Sequence, residues 1–564
     1  MAGDETVYKQ SEWKKSKSRK PRKEHALWHV GYNKDRATEI PSGRLPDKNV
    51  KARKSLEHQN ASVPRTLVLR KQVDPETAKY FSEIANLFEG AEVDSEERSV
   101  ICGNALEETQ GKELELATDY ILSHTLQTLL EGCDVDHLCG FLQSCAKEFP
   151  FISMDRSGSH VAETAFRSLA VHLQDKETFS QIDETLTKIC QVIAINPVNV
   201  MCSRYGSHVL RSLLCLCKGV AFDSSEEFHV TKSSTILAKR LNLRASQSGG
   251  NISPHLQQGF LDLLKFLVAE ILKYSREDME TLKVDQYSSL VLQACFHDPL
   301  LRFLLFLQTA LKLLAGEDQE LLHVIPILLG CHEKDTVEGN FIEITDVQSI
   351  VALLKDTAYS HLMEVILEVA PEILYNEILT KVFRNSLFEI SSQHCGSFVV
   401  QALVSYARSQ GQMELIWEEL GPKFKDLLGI GRSGVIASLI AASQRLHTHG
   451  HQCCQALAAA VCSGNESPSC IVPRILSLES YFCCHDKSNW IWAKDDKMHV
   501  LGCLILQTVF RYPNELIHQY VTSITSMEAD HVLEAAKDPG GGRVIEAFLS
   551  SGASAKLKRK LIVK

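Results

Sequence analysis

The stretch DRSGSHVAETAF, Asp155 to Phe166, gathers a hydroxyl, an imidazole and a carboxylate at Ser159, His160 and Glu163. On a helix, residues four apart share a face, so Ser159 and Glu163 form one polar edge while His160 projects about 100° round from Ser159. Such a trio can hydrogen-bond the edge of a planar group and stack against its face. Ser123, His124 and Gln127 repeat it, as do Ser207, His208 and Arg211, then Ser360, His361 and Glu364, then Ser397, Phe398 and Gln401. Ser289 with Gln293 and Cys503 with Gln507 are further copies. Taken singly, Ser159 reads as a helix cap whose hydroxyl serves a free backbone N–H, with Gly158 letting the chain turn in tightly. Capping does not explain the set, because a capping box places its acid three residues after the cap and here the second polar residue sits at four.

An apolar stripe positions each trio. Val161, Ala162, Ala165, Phe166 and Leu169 form the buried face behind Ser159, and Val399, Val400, Leu403 and Val404 do the same behind Ser397. From DPETAKYFSEIANLF (74–88) onward the apolar period is helical, and the alternation a half-buried strand requires is missing. The marker residues recur at 36, 37, 36 and 39 residues (123 to 159, 360 to 397, 397 to 433, 503 to 542), the period of stacked helical units. The expected fold is therefore all-α, a curved α-solenoid of stacked helical repeats over residues 71–564. Two insertions interrupt it, a polar one near 219–255 and a Cys/His-rich one near 446–497, and the interval after Ser289 has room for one degenerate repeat.

A chain of 564 residues exceeds what a single hydrophobic core supports, which also favours an array. Residues 1–70 lack a sustained apolar period and carry KKSKSRKPRK (Lys14–Lys23) and KARK (Lys51–Lys54). They are read as a disordered basic arm that serves nuclear import and secondarily attracts phosphates. The net charge of −10 excludes a uniformly basic coat but leaves room for a segregated basic face. Eighteen cysteines in so long a chain, without a signal peptide, read as reduced thiols. The apolar run LLRFLLFLQTALKLLAG (300–316) contains charged and polar residues and is read as a buried helix rather than a membrane span.

Stacked in an array, the polar trios would line up as a ladder suited to successive bases of a single strand. The pattern resembles the Pumilio-type repeat, whose second helix carries two base-edge residues four apart and a stacking residue directly after the first. GSHV, GSFVVQAL and DPGGGRVIEAFL, with the order of repeats and the basic arm, are similar to the nucleolar protein 9 family of Pumilio-like proteins, over approximately residues 75–550. The resemblance implies that Ser159 with Glu163 and Ser360 with Glu364 favour guanine, with His160 and His361 stacking. It implies adenine-type pairs at Ser397/Gln401, Ser289/Gln293 and Cys503/Gln507, with Phe398 a strong platform and Leu290 and Leu504 weak ones. Ser207 with Arg211, Ser433 with Ala437, and Gly542 with Glu546 depart from a simple code, although His208 and Arg543 hold stacking positions and Arg211 and Arg543 could contact phosphates. The resemblance further implies a monomeric nuclear and nucleolar ribosome-biogenesis factor. Its expected partners are small-subunit precursor rRNA, near whose 3′ end it restrains premature cleavage, and pre-ribosomal particle proteins.

Other chemistry finds less support. His447, His449, His451, Cys453, Cys454, Cys462, Cys470, Cys483, Cys484 and His485 lack the paired two-residue spacings of a zinc site, so no metal and no other cofactor is expected. Acidic residues are scattered without a nuclease motif, and DPGGGR lacks the Lys-Ser/Thr ending of a phosphate loop, so no enzymatic activity is expected. The competing class is a protein-binding α-solenoid, a scaffold or transport adaptor without RNA specificity. The chain ends at SGASAKLKRKLIVK without a polar capping repeat, which leads to the expectation that one or two terminal repeats are missing.

Overall fold

A computed structural model describes residues 72–564 apart from 91–93, 221–232, 243–258, 285–298, 332–339 and 493–496. The basic arm, Ser289, Leu290 and Gln293 therefore lie outside the described residues. Within Leu69–Lys564, one compact unit, the described residues form helices and no strand.

The repeating unit is a long helix, a short helix and the helix that carries the polar trio. Lys176–Ile195, Pro197–Cys202 and Gly206–Lys218 are one such unit. The marker helices, with Pro299–Leu313 in line among them, pack side by side in chain order: Leu122–Gly132, Gly158–His172, Gly206–Lys218, Pro299–Leu313, Thr357–Val369, His394–Ser405, Ser433–Arg445, Val500–Val509 and Pro539–Ser550. A single described helix, Pro299–Leu313, thus joins the Ser207 helix to the Ser360 helix. Behind this row the long helices pack on one another, Val135–Ser144 against Lys176–Ile195 and that against Leu261–Val284. One continuous apolar core runs between the rows, from Phe81 through Phe166, Phe306, Phe383 and Phe424 to Phe548. Each repeat cannot cover its own apolar face, so stacking extends the core instead of closing it.

Hydrogen bonds one repeat apart fasten the stack. Arg408 Nη2 donates to the Ala370 carbonyl at 2.6 Å, Arg445 Nη2 to Ser405 at 3.0 Å and Arg432 Nη2 to Ser392 at 2.9 Å. Each acceptor lies at the C-terminus of a helix, where unpaired carbonyls and the helix dipole favour a cation.

Two regions outside the simple period have structure of their own. Within 219–255, Ser233–Arg240 is a helix whose Leu237 and Ala238 are buried and which packs on the Ser433 and Cys503 helices. Within 446–497, Gly450–Val461 and Ile471–Leu476 are helices packed on Asn514–Ser526, and Cys453 and Cys454 are buried among them. No described helix is long and apolar enough to cross a membrane.

Candidate nucleic-acid interface

The marker serines are not the caps that a single copy suggests. Except at Ser433, which itself opens its helix, each helix begins before its marker, and in four of them an aspartate four residues before the marker accepts from first-turn N–H groups. Asp155 Oδ1 accepts from Ser157 N and Gly158 N at 2.8 and 3.1 Å. Asp119 serves Ile121 N and Leu122 N, Asp356 serves Ala358 N and Tyr359 N, and Asp538 serves Gly540 N and Gly541 N. With those N–H groups taken, the serine hydroxyls turn inward and donate to a carbonyl three residues back: Ser159 to Arg156 at 3.1 Å, Ser207 to Arg204 at 3.3 Å, Ser360 to Thr357 at 2.8 Å and Ser397 to His394 at 2.8 Å. The hydroxyl proton is engaged by the backbone, so the oxygen offers lone pairs.

The glycine before the marker acts through close approach. A Cβ at Gly158 would lie 2.4 Å from the Ile152 carbonyl oxygen, and one at Gly396 would lie 2.4 Å from that of Ile390. Both residues are helical, so the tight turn expected at Gly158 is instead a helix end pressed against the short helix before it.

Exposure rises from the marker to the residue after it on most helices of the row. The marker is recessed at Ser123, Ser159, Ser207, Ser360, Ser397, Ser433 and Cys503. The next residue is exposed at His124, His160, His208, His361 and Arg543, half-buried at Phe398 and buried at Leu504. Second-edge residues Gln127, Glu163 and Arg211 are half-buried, Glu364, Gln401 and Gln507 are buried, and Glu546 is exposed. Rings four residues earlier brace two of the platforms, His394 edge-on to Phe398 and Tyr120 edge-on to His124. At the Ser433 helix the platform position is Gly434, where a Cβ would meet the Gln401 amide at 2.7 Å, so the preceding rung fills that space.

The second-edge groups differ in how far they are engaged. Gln127 and Gln507 donate to the carbonyls of Ser123 and Cys503 at 3.1 and 3.0 Å, which leaves each amide oxygen and one N–H. Burial raises the Glu163 carboxyl above its ordinary range against the pull of Arg167, His160 and Arg211. Arg211 Nη2 lies 2.7 Å from His208 Nδ1, a contact in which the guanidinium donates. Glu364 is the most tightly held: Arg240 Nη2 lies 2.8 Å from Oε2 and His361 Nδ1 lies 3.0 Å from Oε1. Burial pushes Glu364 up, but the His361 and Arg240 bonds outweigh it and hold the carboxyl below its usual range.

Sequence reasoning passed over Arg240, which reaches Glu364 from the Ser233–Arg240 helix and lies over the Tyr406 ring at 5.6 Å. Arg240, Arg445, His447 and Arg511 line a cavity of about 290 Å³ beside the row. Arg156 and Arg204, both exposed, stand four residues before His160 and His208 and were visible in DRSGSH and SRYGSH. The Cys/His-rich residues disperse: His449 stacks on Trp417, Cys453 contacts Ser443, and Cys462 and Cys470 approach at 3.5 Å near Glu466. The Glu466 carboxylate is engaged by both Arg474 nitrogens at 2.7 and 2.8 Å.

Fold and row together define an all-α solenoid of helical repeats, most of which carry a polar edge. Residues 111–564 match the NOP9-like PUF repeat domain, and the chain belongs to that family. Pumilio homolog 23 of Arabidopsis thaliana is 54% identical over 546 residues, covering 96% of this chain and 70% of that protein. Nucleolar protein 9 of Mus musculus is 24% identical over 522 residues, covering 87% and 77%. A solved structure of APUM23 with GGAAUUGACGG is 55% identical, covers 87% of this chain and 86% of its own, and superposes with a TM-score of 0.75.

Proposed function

We propose that the row binds single-stranded RNA, successive bases entering between the platforms, and that the chain is a nucleolar ribosome-biogenesis factor. The observation that carries this is the repeated order of a recessed oxygen, an exposed ring and a second polar group on helices packed side by side. A base stacked on an aromatic side chain gains about 1–3 kcal/mol, which His124, His160, His208, His361 and Phe398 can supply without sequence preference. Edge reading adds the preference. Ser159 presents lone pairs, and ionised Glu163 is acceptor-only, so the pair suits the two adjacent donors of a guanine edge. Gln127, Gln401 and Gln507 bring one donor and one acceptor and suit adenine instead. Exposed Arg156, Arg204 and Arg543 can position the phosphates.

The uridine-containing oligonucleotide held by APUM23 and the nucleolar naming of the mouse relative support the reading. The RNA is small-subunit precursor rRNA in pre-ribosomal particles, and the chain acts as a monomer by covering a cleavage region near that RNA's 3′ end, without catalysing a reaction. Crosslinking the protein to RNA in cells and sequencing what is bound tests this. Reads should concentrate on precursor rRNA of the small subunit; reads scattered over messenger RNAs would remove the ribosomal role while leaving RNA binding in place.

A further inference from the structure

The Pro299–Leu313 helix holds a place in the marker row, between the Ser207 and Ser360 helices, although no serine trio occurs in it. Its exposure pattern keeps step with its neighbours. Leu304, Phe306, Leu307, Thr309, Ala310 and Leu311 are buried, Leu305 and Gln308 are half-buried, and Lys312 is exposed. In the Ser159 helix the same order runs from buried Ser159 through exposed His160, half-buried Glu163 and buried Phe166 to exposed Arg167. Aligning the two periods puts Leu304 where Ser159 stands, Leu305 at the platform and Gln308 at the second edge. The sequence carries an independent mark of the same register, since LVLQ (290–293) returns fifteen residues later as LFLQ (305–308). A shift of fifteen residues maps Ser289, Leu290 and Gln293 onto Leu304, Leu305 and Gln308.

We propose that Leu304, Leu305 and Gln308 form the base-facing rung at this place, so that Leu304 presents an alkyl group in the RNA-reading row where its neighbours present a hydroxyl. The inference rests on the RNA-binding reading above. Leu304 has neither donor nor acceptor, and the Thr309 hydroxyl is bonded to the Leu305 carbonyl at 3.0 Å and does not replace it. The base here meets an apolar wall, a half-buried aliphatic platform and the single Gln308 amide. Discrimination therefore relaxes at one base position and persists at the others. Deleting 294–308 would join Gln293 to Thr309 and write YSSLVLQTALKLLAG, a helix with a serine in the marker position.

The test measures binding of GGAAUUGACGG and its single-base substitutions to the unaltered chain, L304S, Q308A and a chain lacking 294–308. The unaltered chain should tolerate substitution at one position that L304S and the deletion discriminate by roughly fivefold, the net worth of one hydrogen bond, and Q308A should flatten that position further. Leu304 is buried, so L304S also loses apolar burial, and a second measurement uses only the unaltered chain. There, 4-thiouridine placed singly along the RNA should crosslink at one position to the peptide holding Leu305 and Gln308. RNA binding with unchanged profiles in all variants and no crosslink to that peptide would overturn the rung alone. No RNA binding by the unaltered chain would overturn the broader reading and the rung with it.

Discussion

Ser159 and Glu163 show how much of the site rests on where single protons lie. Because the Ser159 hydroxyl donates to the Arg156 carbonyl, the proposed base edge at this rung is built of acceptors, and E163Q would replace one acceptor by a donor-bearing amide. E163Q should lower the preference for guanine at one RNA position by about tenfold, in line with the 1–3 kcal/mol of a paired edge contact; an unchanged preference in a base-substitution panel would remove Glu163 from the edge. His361 offers a test without RNA. Its hydrogen bond to Glu364 raises its pKa above the ordinary 6.5, so the charged form is favoured in the folded chain. The stability this contributes is complete below the unfolded pKa and is lost as pH rises through the raised folded value. NMR titration should place His361 above 6.5 and E364Q should bring it down. Both residues were legible in DTAYSHLMEVIL, whereas Arg240, their neighbour in space, stands 124 residues from Glu364 in a polar stretch with no marker to point to it.

At the level of helices, the apolar stripes located each marker helix, because burying Val161, Ala165 and Phe166 demands that period whatever precedes it. Helix starts were less legible. The stripe begins after the serine, which makes the serine look like a cap, while Asp119, Asp155 and Asp356 four residues earlier do the capping. The Pro299–Leu313 helix was legible as buried but not as a rung, because its marker position carries Leu304. Close approach of helix ends makes Gly396 intolerant: G396A forces a carbon to 2.4 Å from the Ile390 oxygen and should cost about 1–3 kcal/mol in denaturant unfolding, as other overpacked sites do. In the 446–497 region, Arg474 is buried and held by Glu466, whose carboxyl is lowered to about 2 by that hydrogen bond and by the Ser463 N–H. E466A would strand the guanidinium and should destabilise by about 2–3 kcal/mol, short of a fully buried pair because Glu466 is partly exposed. The pair's contribution should be present above the unfolded carboxyl pKa and disappear as pH falls toward 2.

For the whole molecule, the repeat period and the separation of stripe from edge were enough to expect stacked helices, and family membership agrees with that expectation. What the period could not show is the set of contacts between distant segments, such as Arg511 donating to the Leu241 and Asn242 carbonyls across some 270 residues. Those contacts tie a helix from the 219–255 stretch to the row beside the Cys503 helix, and no local pattern encodes them. Binding of single-stranded RNA by the proposed row of platforms is decided by titrating labelled GGAAUUGACGG with the full chain and with a variant carrying H160A, H208A, H361A and F398A, at several salt concentrations. The full chain should bind with an affinity that falls as salt rises, and the variant should bind at least a hundredfold more weakly, since each stacked base is worth about 1–3 kcal/mol. Equal binding by a folded variant would show that the platforms do not hold the bases, and undetectable binding by the full chain at low salt would show that the row is not an RNA-binding surface.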